Sequence, residues 1–148
     1  MTRANYVRDV SSNRDILPVP QVRPMASVSG KLQPRLILCV DDDGVALHVR
    51  RLLLSVAGYS VLTASSAEAG LEVLKQNPVE LVIADHFLSA KTGTEIAREM
   101  KEFKPEVPIL IVSASAEEPS GLEFADGFLP KGEPPDVLLD TIAGLLKS

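Results

Sequence analysis

Four apolar runs in this chain each close on a polar group. Asp41-Asp42-Asp43 follows Leu36–Val40, Asp85 follows Leu81–Ala84, Ser113 follows Pro108–Val112, and Lys131 follows Gly127–Pro130. If the fold gathers these ends, carboxylates within a few Å of one another repel and cannot all stay ionised without a counter-charge. A divalent cation supplies one. Mg²⁺ suits such a place because it takes few carboxylates, keeps waters and accepts phosphate oxygens. Lys131 adds a point charge on a flexible stem, and Ser113 adds a hydroxyl donor. These are the parts for moving a phosphoryl group onto a carboxylate. Cation, lysine and hydroxyl neutralise the equatorial oxygens while Asp85 attacks in line.

The elements that must position these groups read as follows. Leu36–Val40 is a short continuous apolar run, as expected of a strand buried on both faces. Residues 44–57 carry Val45, Val49, Leu52, Leu53 and Val56 at helical spacing, a stripe expected to face the core, with Gly58 in the place of a left-handed terminator. A strand over Ser60–Ala64 leads to the capping-box pattern Ser65-Ser66-Ala67-Glu68, which opens a helix that Asn77-Pro78 stops. Leu81–Ala84 is the third strand. Thr92-Gly93-Thr94-Glu95 is a second capping box, for a helix to about Phe103. Pro108–Val112 is the fourth strand, 117–125 a poor helix holding Pro119 and Gly121, and Gly127–Pro130 the fifth strand. Pro134-Pro135-Asp136 opens a last helix with Val137, Leu138, Ile142 and Leu145 on one face.

Strand and helix thus alternate five times, which predicts an α/β fold: a doubly wound, five-stranded parallel sheet with helices on both faces. The expected form is flavodoxin-like, with strand order 2-1-3-4-5. Ligands of such sheets bind outside the carboxyl ends of the strands where the order reverses, here between the first and third. Asp42 and Asp85 would face each other there.

With these residues in place, the chain resembles the receiver domain of two-component response regulators over residues 35–148. The resemblance implies that Asp41 and Asp42 are the acidic Mg²⁺ pair and Asp85 the phosphoacceptor, also a metal ligand. It implies that Phe87 gives a backbone carbonyl to the metal, that Lys131 contacts the phosphoryl group, and that Ser113 and Phe128 form the hydroxyl and aromatic switch. It further implies a signalling domain that catalyses only its own phosphorylation and dephosphorylation, and the single cysteine with no apolar signal-peptide run makes the cytoplasm its expected place. Its partners are a sensor histidine kinase or phosphotransfer protein, a downstream protein target met through residues 117–148, and a second copy after phosphorylation. Two departures stand out. Phe87-Leu88-Ser89 occupies a stretch where members usually carry Met-Pro, and Gly132 replaces the usual proline after the lysine.

Blander roles exist for each group. The Asp triplet could be an acidic helix start favoured by the macrodipole, Asp85 and Ser113 turn residues, and Lys131 a solvated lysine. His86 reads as a loop histidine, His48 as a surface one, Cys39 as a buried thiol and Thr92 as a helix cap. One rival enzyme reading also exists. Asp41-Asp42-Asp43-Gly44 is similar to the Asp-x-Asp-Gly signature of haloacid-dehalogenase-type phosphatases, with Asp41 as nucleophile and Asp43 as acid/base. That reading leaves Asp85 without a task and finds no good late acidic pair. A third reading is a receiver-like interaction module that is never phosphorylated.

Composition bounds the remainder. Of 148 residues, 45% are hydrophobic and only 4% aromatic, so an aliphatic core is expected. A single cysteine permits no internal disulfide. Residues 1–34 carry five Lys/Arg against two Asp/Glu, net +3, with four prolines, and are expected to be a disordered extension; Met25 offers an alternative start. Residues 35–148 carry ten against eighteen, net −8, which argues against nucleic-acid binding. No apolar run is long enough to span a membrane. The last helix pattern ends at Ser148, from which a stand-alone regulator is expected.

Overall fold

A computed structural model describes residues 33–147 of the chain. The expected disordered extension over residues 1–34 lies, but for its last two residues, outside the described part. Among the described residues the strands are β1 (Leu36–Val40), β2 (Ser60–Ala64), β3 (Leu81–Asp85), β4 (Ile109–Ser113) and β5 (Gly127–Pro130). The helices are α1 (Gly44–Val56), α2 (Ala67–Gln76), α3 (Gly93–Phe103) and α4 (Pro135–Leu146). All strand pairs are parallel, in the order β2-β1-β3-β4-β5. The fold is therefore the flavodoxin-like doubly wound sheet that the alternation predicts.

Apolar residues of both parities fill the central strands because each strand is covered on both faces. Leu38, Val40, Val82, Ala84, Ile109 and Ile111 pack under α2 and α3. Ile37, Cys39, Leu81, Ile83, Leu110 and Val112 pack under α1 and α4. Burial in the second layer pushes the Cys39 thiol up to about 12, with the Asp41 charge adding and Arg50 opposing. Cys39 is a buried thiol, as expected.

The caps follow the sequence signals with two adjustments. Thr92 and Glu95 form a complete capping box on α3. On α2 the cap is Ser66, whose hydroxyl accepts from Ala69 N, so the box from Ser65 to Glu68 is not the one used. Gly58 takes φ +103° after α1, a conformation that glycine adopts without a Cβ penalty. The poor helix expected over 117–125 is reduced to one 3₁₀ turn, Leu122–Phe124. Pro119 and the left-handed Gly121 (φ +85°) leave no room for a longer one.

Helix α1 corrects a larger expectation. The stripe read as core-facing is mostly on the outside: Val45, Val49, Leu52 and Val56 are exposed, Val56 to 87%. The buried residues are Leu47 and Leu54, with Leu53 half-buried. Both series fit a 3.6-residue period, and periodicity alone does not say which one meets the sheet. Consequently Leu54→Ala should cost about 2–5 kcal/mol in urea denaturation. Val49→Lys should stay within about 0.5 kcal/mol of wild type, as a surface change does.

Candidate functional site

The crevice lies where β1 and β3 run side by side. Val40 pairs with Ala84, so the next residues, Asp41 and Asp85, leave adjacent strands together. Asp41 is fully buried and Asp85 is 4% exposed, whereas Asp42 is exposed. One carboxylate oxygen from each of the three lies within 4.8 Å of the others. Asp43, the last of the triplet, turns away to cap α1, accepting from Val45 N and Ala46 N.

Fixed donors hold the buried carboxylates. Asp41 Oδ1 accepts from Asp43 N at 3.0 Å and its Oδ2 from Lys131 Nζ at 2.9 Å. Lys131 Nζ also stands 3.4 Å from Asp85 Oδ2, and Phe87 N is 3.4 Å from Asp85 Oδ1. Lys131 reaches this point because its backbone N–H still donates to Ser113 O, at 2.7 Å, beyond the end of β5. Backbone contact also sets the place of Asp85. A Cβ on Gly93, the first residue of α3, would come within 2.7 Å of Asp85 O, so only glycine lets α3 start so close to the site.

The electrostatics follow from burial. Desolvation raises the pKa of Asp85, the neighbouring Asp41 charge raises it further, and Lys131 opposes both. Burial alone would lower Lys131, but its hydrogen bond to Asp41 and the charges of Asp41 and Asp85 hold it above the ordinary ammonium value. Hard, clustered carboxylate oxygens of this kind fit a small divalent cation.

The structure brings Asp41, Asp42, Asp85 and Lys131 together, as the sequence predicts. Ser113 sits buried at the end of β4, next to β3, with its hydroxyl accepting from Ser115 N at 3.1 Å. Phe128 is half-buried against the layer under α2 and α3. The side chain of Phe87 is 54% exposed, stacked edge-on against His86. His48 is exposed on α1. Two contacts were not foreseen. The Ser89 hydroxyl donates to Asp42 Oδ2 at 3.0 Å, and Arg50 approaches Asp41 from α1. Arg50 could have been noticed as a charge set three and four residues from Leu47 and Leu54; a serine in a loop carries no such signal.

A family model described as the response regulator receiver domain matches residues 37–143. The chain belongs to that family. It is 33% identical over 119 residues to the Transcriptional regulatory protein GlrR of Escherichia coli K12, covering 78% of this chain and 27% of that protein. It is 32% identical over 118 residues to the Response regulator MprA of a Mycobacterium species (strain KMS), covering 77% of this chain and 51% of that protein. A CheY-like receiver domain protein from Methanospirillum hungatei JF-1 superposes with TM-score 0.72 at 27% identity, over 76% of this chain and 94% of that one. The response regulator TrrA of Thermotoga maritima, solved in complex with Mg(2+)-BeF, superposes with TM-score 0.72 at 26% identity, over 76% of this chain and 99% of that one.

The receiver domain spans about a quarter to a half of these curated relatives, so the stand-alone expectation finds no support in them. The phosphatase reading falls with the family match, and Asp43 is committed to its cap. No helix among the described residues is long and apolar enough to cross a membrane.

The raised pKa of Asp85 gives a stability prediction. A carboxyl raised on folding favours the neutral acid, so its contribution is fully present below the unfolded value, about 3.9, and is lost as pH rises through the folded one. In EDTA near neutral pH, Asp85→Asn should therefore melt at a higher temperature than wild type. The gap should close on acidification below the ordinary carboxylate range, as read by thermal scans across pH.

Proposed function

We propose that this receiver domain accepts a phosphoryl group on Asp85 from a phosphohistidine of a sensor histidine kinase or phosphotransfer protein. Asp41, Asp42, Asp85 and the backbone carbonyl of Phe87 are the groups proposed to hold Mg²⁺. The observation that carries the reading is the pairing of Asp85 with Lys131, 3.4 Å apart, beside two further carboxylates at the switch point of the sheet. The Mg²⁺-bound relative of the same fold supports it.

An oxygen of Asp85 attacks phosphorus as the P–N bond to the donor imidazole breaks. No base is needed on a carboxylate that is already ionised. Lys131 moves its ammonium from Asp41 to a phosphoryl oxygen, and the Ser113 hydroxyl turns from the Ser115 amide to another. Mg²⁺, when bound, neutralises charge on the phosphoryl oxygens and relieves repulsion among the carboxylates. On this reading the domain catalyses only its own phosphorylation and dephosphorylation, in the cytoplasm.

The donor needs a surface next to Asp85. The exposed valines of α1 provide one, running into a groove of about 420 Å³ lined by Val45, Val49, Leu53, Lys131, Pro135 and Leu138. A phosphohistidine-bearing helix packed there would present its imidazole to the site. The signal is proposed to leave through residues 117–148, whose last helix also lines that groove, toward a protein target or a second copy.

Intact-mass measurement after incubation with acetyl phosphate and Mg²⁺ should show one added phosphate. Asp85→Asn or EDTA should abolish it. Equal labelling in EDTA would sink the metal role, and no labelling under any donor would leave the interaction-module reading. The switch has its own test. Once Ser113 turns, space opens beside Phe128, and full burial of the ring is worth about 1.5–3 kcal/mol. Amide exchange across residues 114–128 should therefore change on phosphorylation. Ser113→Ala should still take up phosphate but lose most of that change.

A further inference from the structure

The sheet-facing row of α1 reads Leu47, Arg50, Leu54. Leu47 and Leu54 are buried, and the side chain of Arg50 is only 11% exposed. A guanidinium in such a row is unfavourable unless it is paired. Its NH1 lies 3.7 Å from Asp41 Oδ2, beyond hydrogen-bond length, and is buried with no hydrogen-bond partner. The same Oδ2 already accepts from Lys131 at 2.9 Å. One carboxylate oxygen thus faces two cations. Lys131 is shared with Asp85 on a flexible stem, while Arg50 is anchored in a packed helix and holds an N–H in reserve.

The charges nearly cancel before any metal arrives. The two buried carboxylates, Asp41 and Asp85, stand against Lys131 and Arg50, while Asp42 is left to solvent. A divalent cation added to that set overshoots neutrality. A phosphoryl group on Asp85 replaces the carboxylate's single negative charge with about −1.5 to −2, and with the charge of Asp42 counted this brings the site back close to neutrality.

We propose that Arg50 is a resident counter-cation for Asp41. It holds the carboxylate cluster together without metal, keeps the affinity for divalent cations low, and takes over Asp41 Oδ2 when Lys131 leaves for the phosphoryl group. The inference rests on the metal reading of the site given above. Arg50 is a positioning residue in this scheme, because it acts through Asp41 and touches no reacting atom.

The test is a calorimetric Mg²⁺ titration of wild type, Arg50→Leu and Arg50→Lys, with urea midpoints in EDTA and in Mg²⁺. Arg50→Leu should bind Mg²⁺ at least tenfold more tightly than wild type, equivalent to about 1.4 kcal/mol. It should also be less stable than wild type in EDTA and recover most of the loss in Mg²⁺. Arg50→Lys, which keeps the charge, should stay nearer wild type in both measurements. If Arg50→Leu does not fold, Arg50→Met supplies a neutral variant with an unbranched stem. Equal Mg²⁺ affinity in wild type and the neutral variant, with a stability loss that Mg²⁺ leaves unchanged, would overturn the proposal and mark Arg50 as a packing residue. No Mg²⁺ binding by any of the proteins would overturn the metal reading itself.

Discussion

Asp41 and Asp85 leave neighbouring parallel strands at the same level and are both buried there, so two like charges must share one desolvated pocket. Much of the surrounding structure answers that constraint. Lys131 reaches across from the far side of the sheet, two strands beyond β3, to touch both carboxylates. The Asp43 amide turns back onto Asp41, and the Phe87 amide lies close to Asp85. Each contact lowers the cost of burying charge, and none removes it, as the raised pKa of Asp85 shows. A pocket left in that condition is ready for a cation, a proton or a phosphoryl group.

Stability is distributed to match. β1, β3 and β4 are covered on both faces and almost wholly buried, whereas every residue of β5 is only half-buried. The segment before β5 contains a single 3₁₀ turn among the described residues, and none of its residues is buried. Low local stability is where switching segments are found. The rigid centre fixes the carboxylates, and Phe128 sits on the half-buried edge strand.

Helix α1 serves the site from both sides. Its buried row supplies Leu47 and Leu54 to the core and sends Arg50 toward Asp41. Its outer row of valines and Leu52 stays in solvent, and Val45 and Val49 of that row line the groove that reaches Lys131.

The strand–helix alternation, the apolar runs and the polar residue at each strand end were legible in the sequence because they are local. A doubly buried strand must be apolar throughout, and its carboxyl end is where polarity first becomes affordable. Strand order and the meeting of Asp41, Asp42, Asp85 and Lys131 followed from that alternation, since parallel crossovers permit few topologies. Two things were decided only by tertiary packing. Which of two helical stripes on α1 meets the sheet depends on the position of β1 beneath it. The approach of Arg50 to Asp41, and of Ser89 to Asp42, depends on side chains from separate elements meeting in three dimensions, for which periodicity and composition carry no signal.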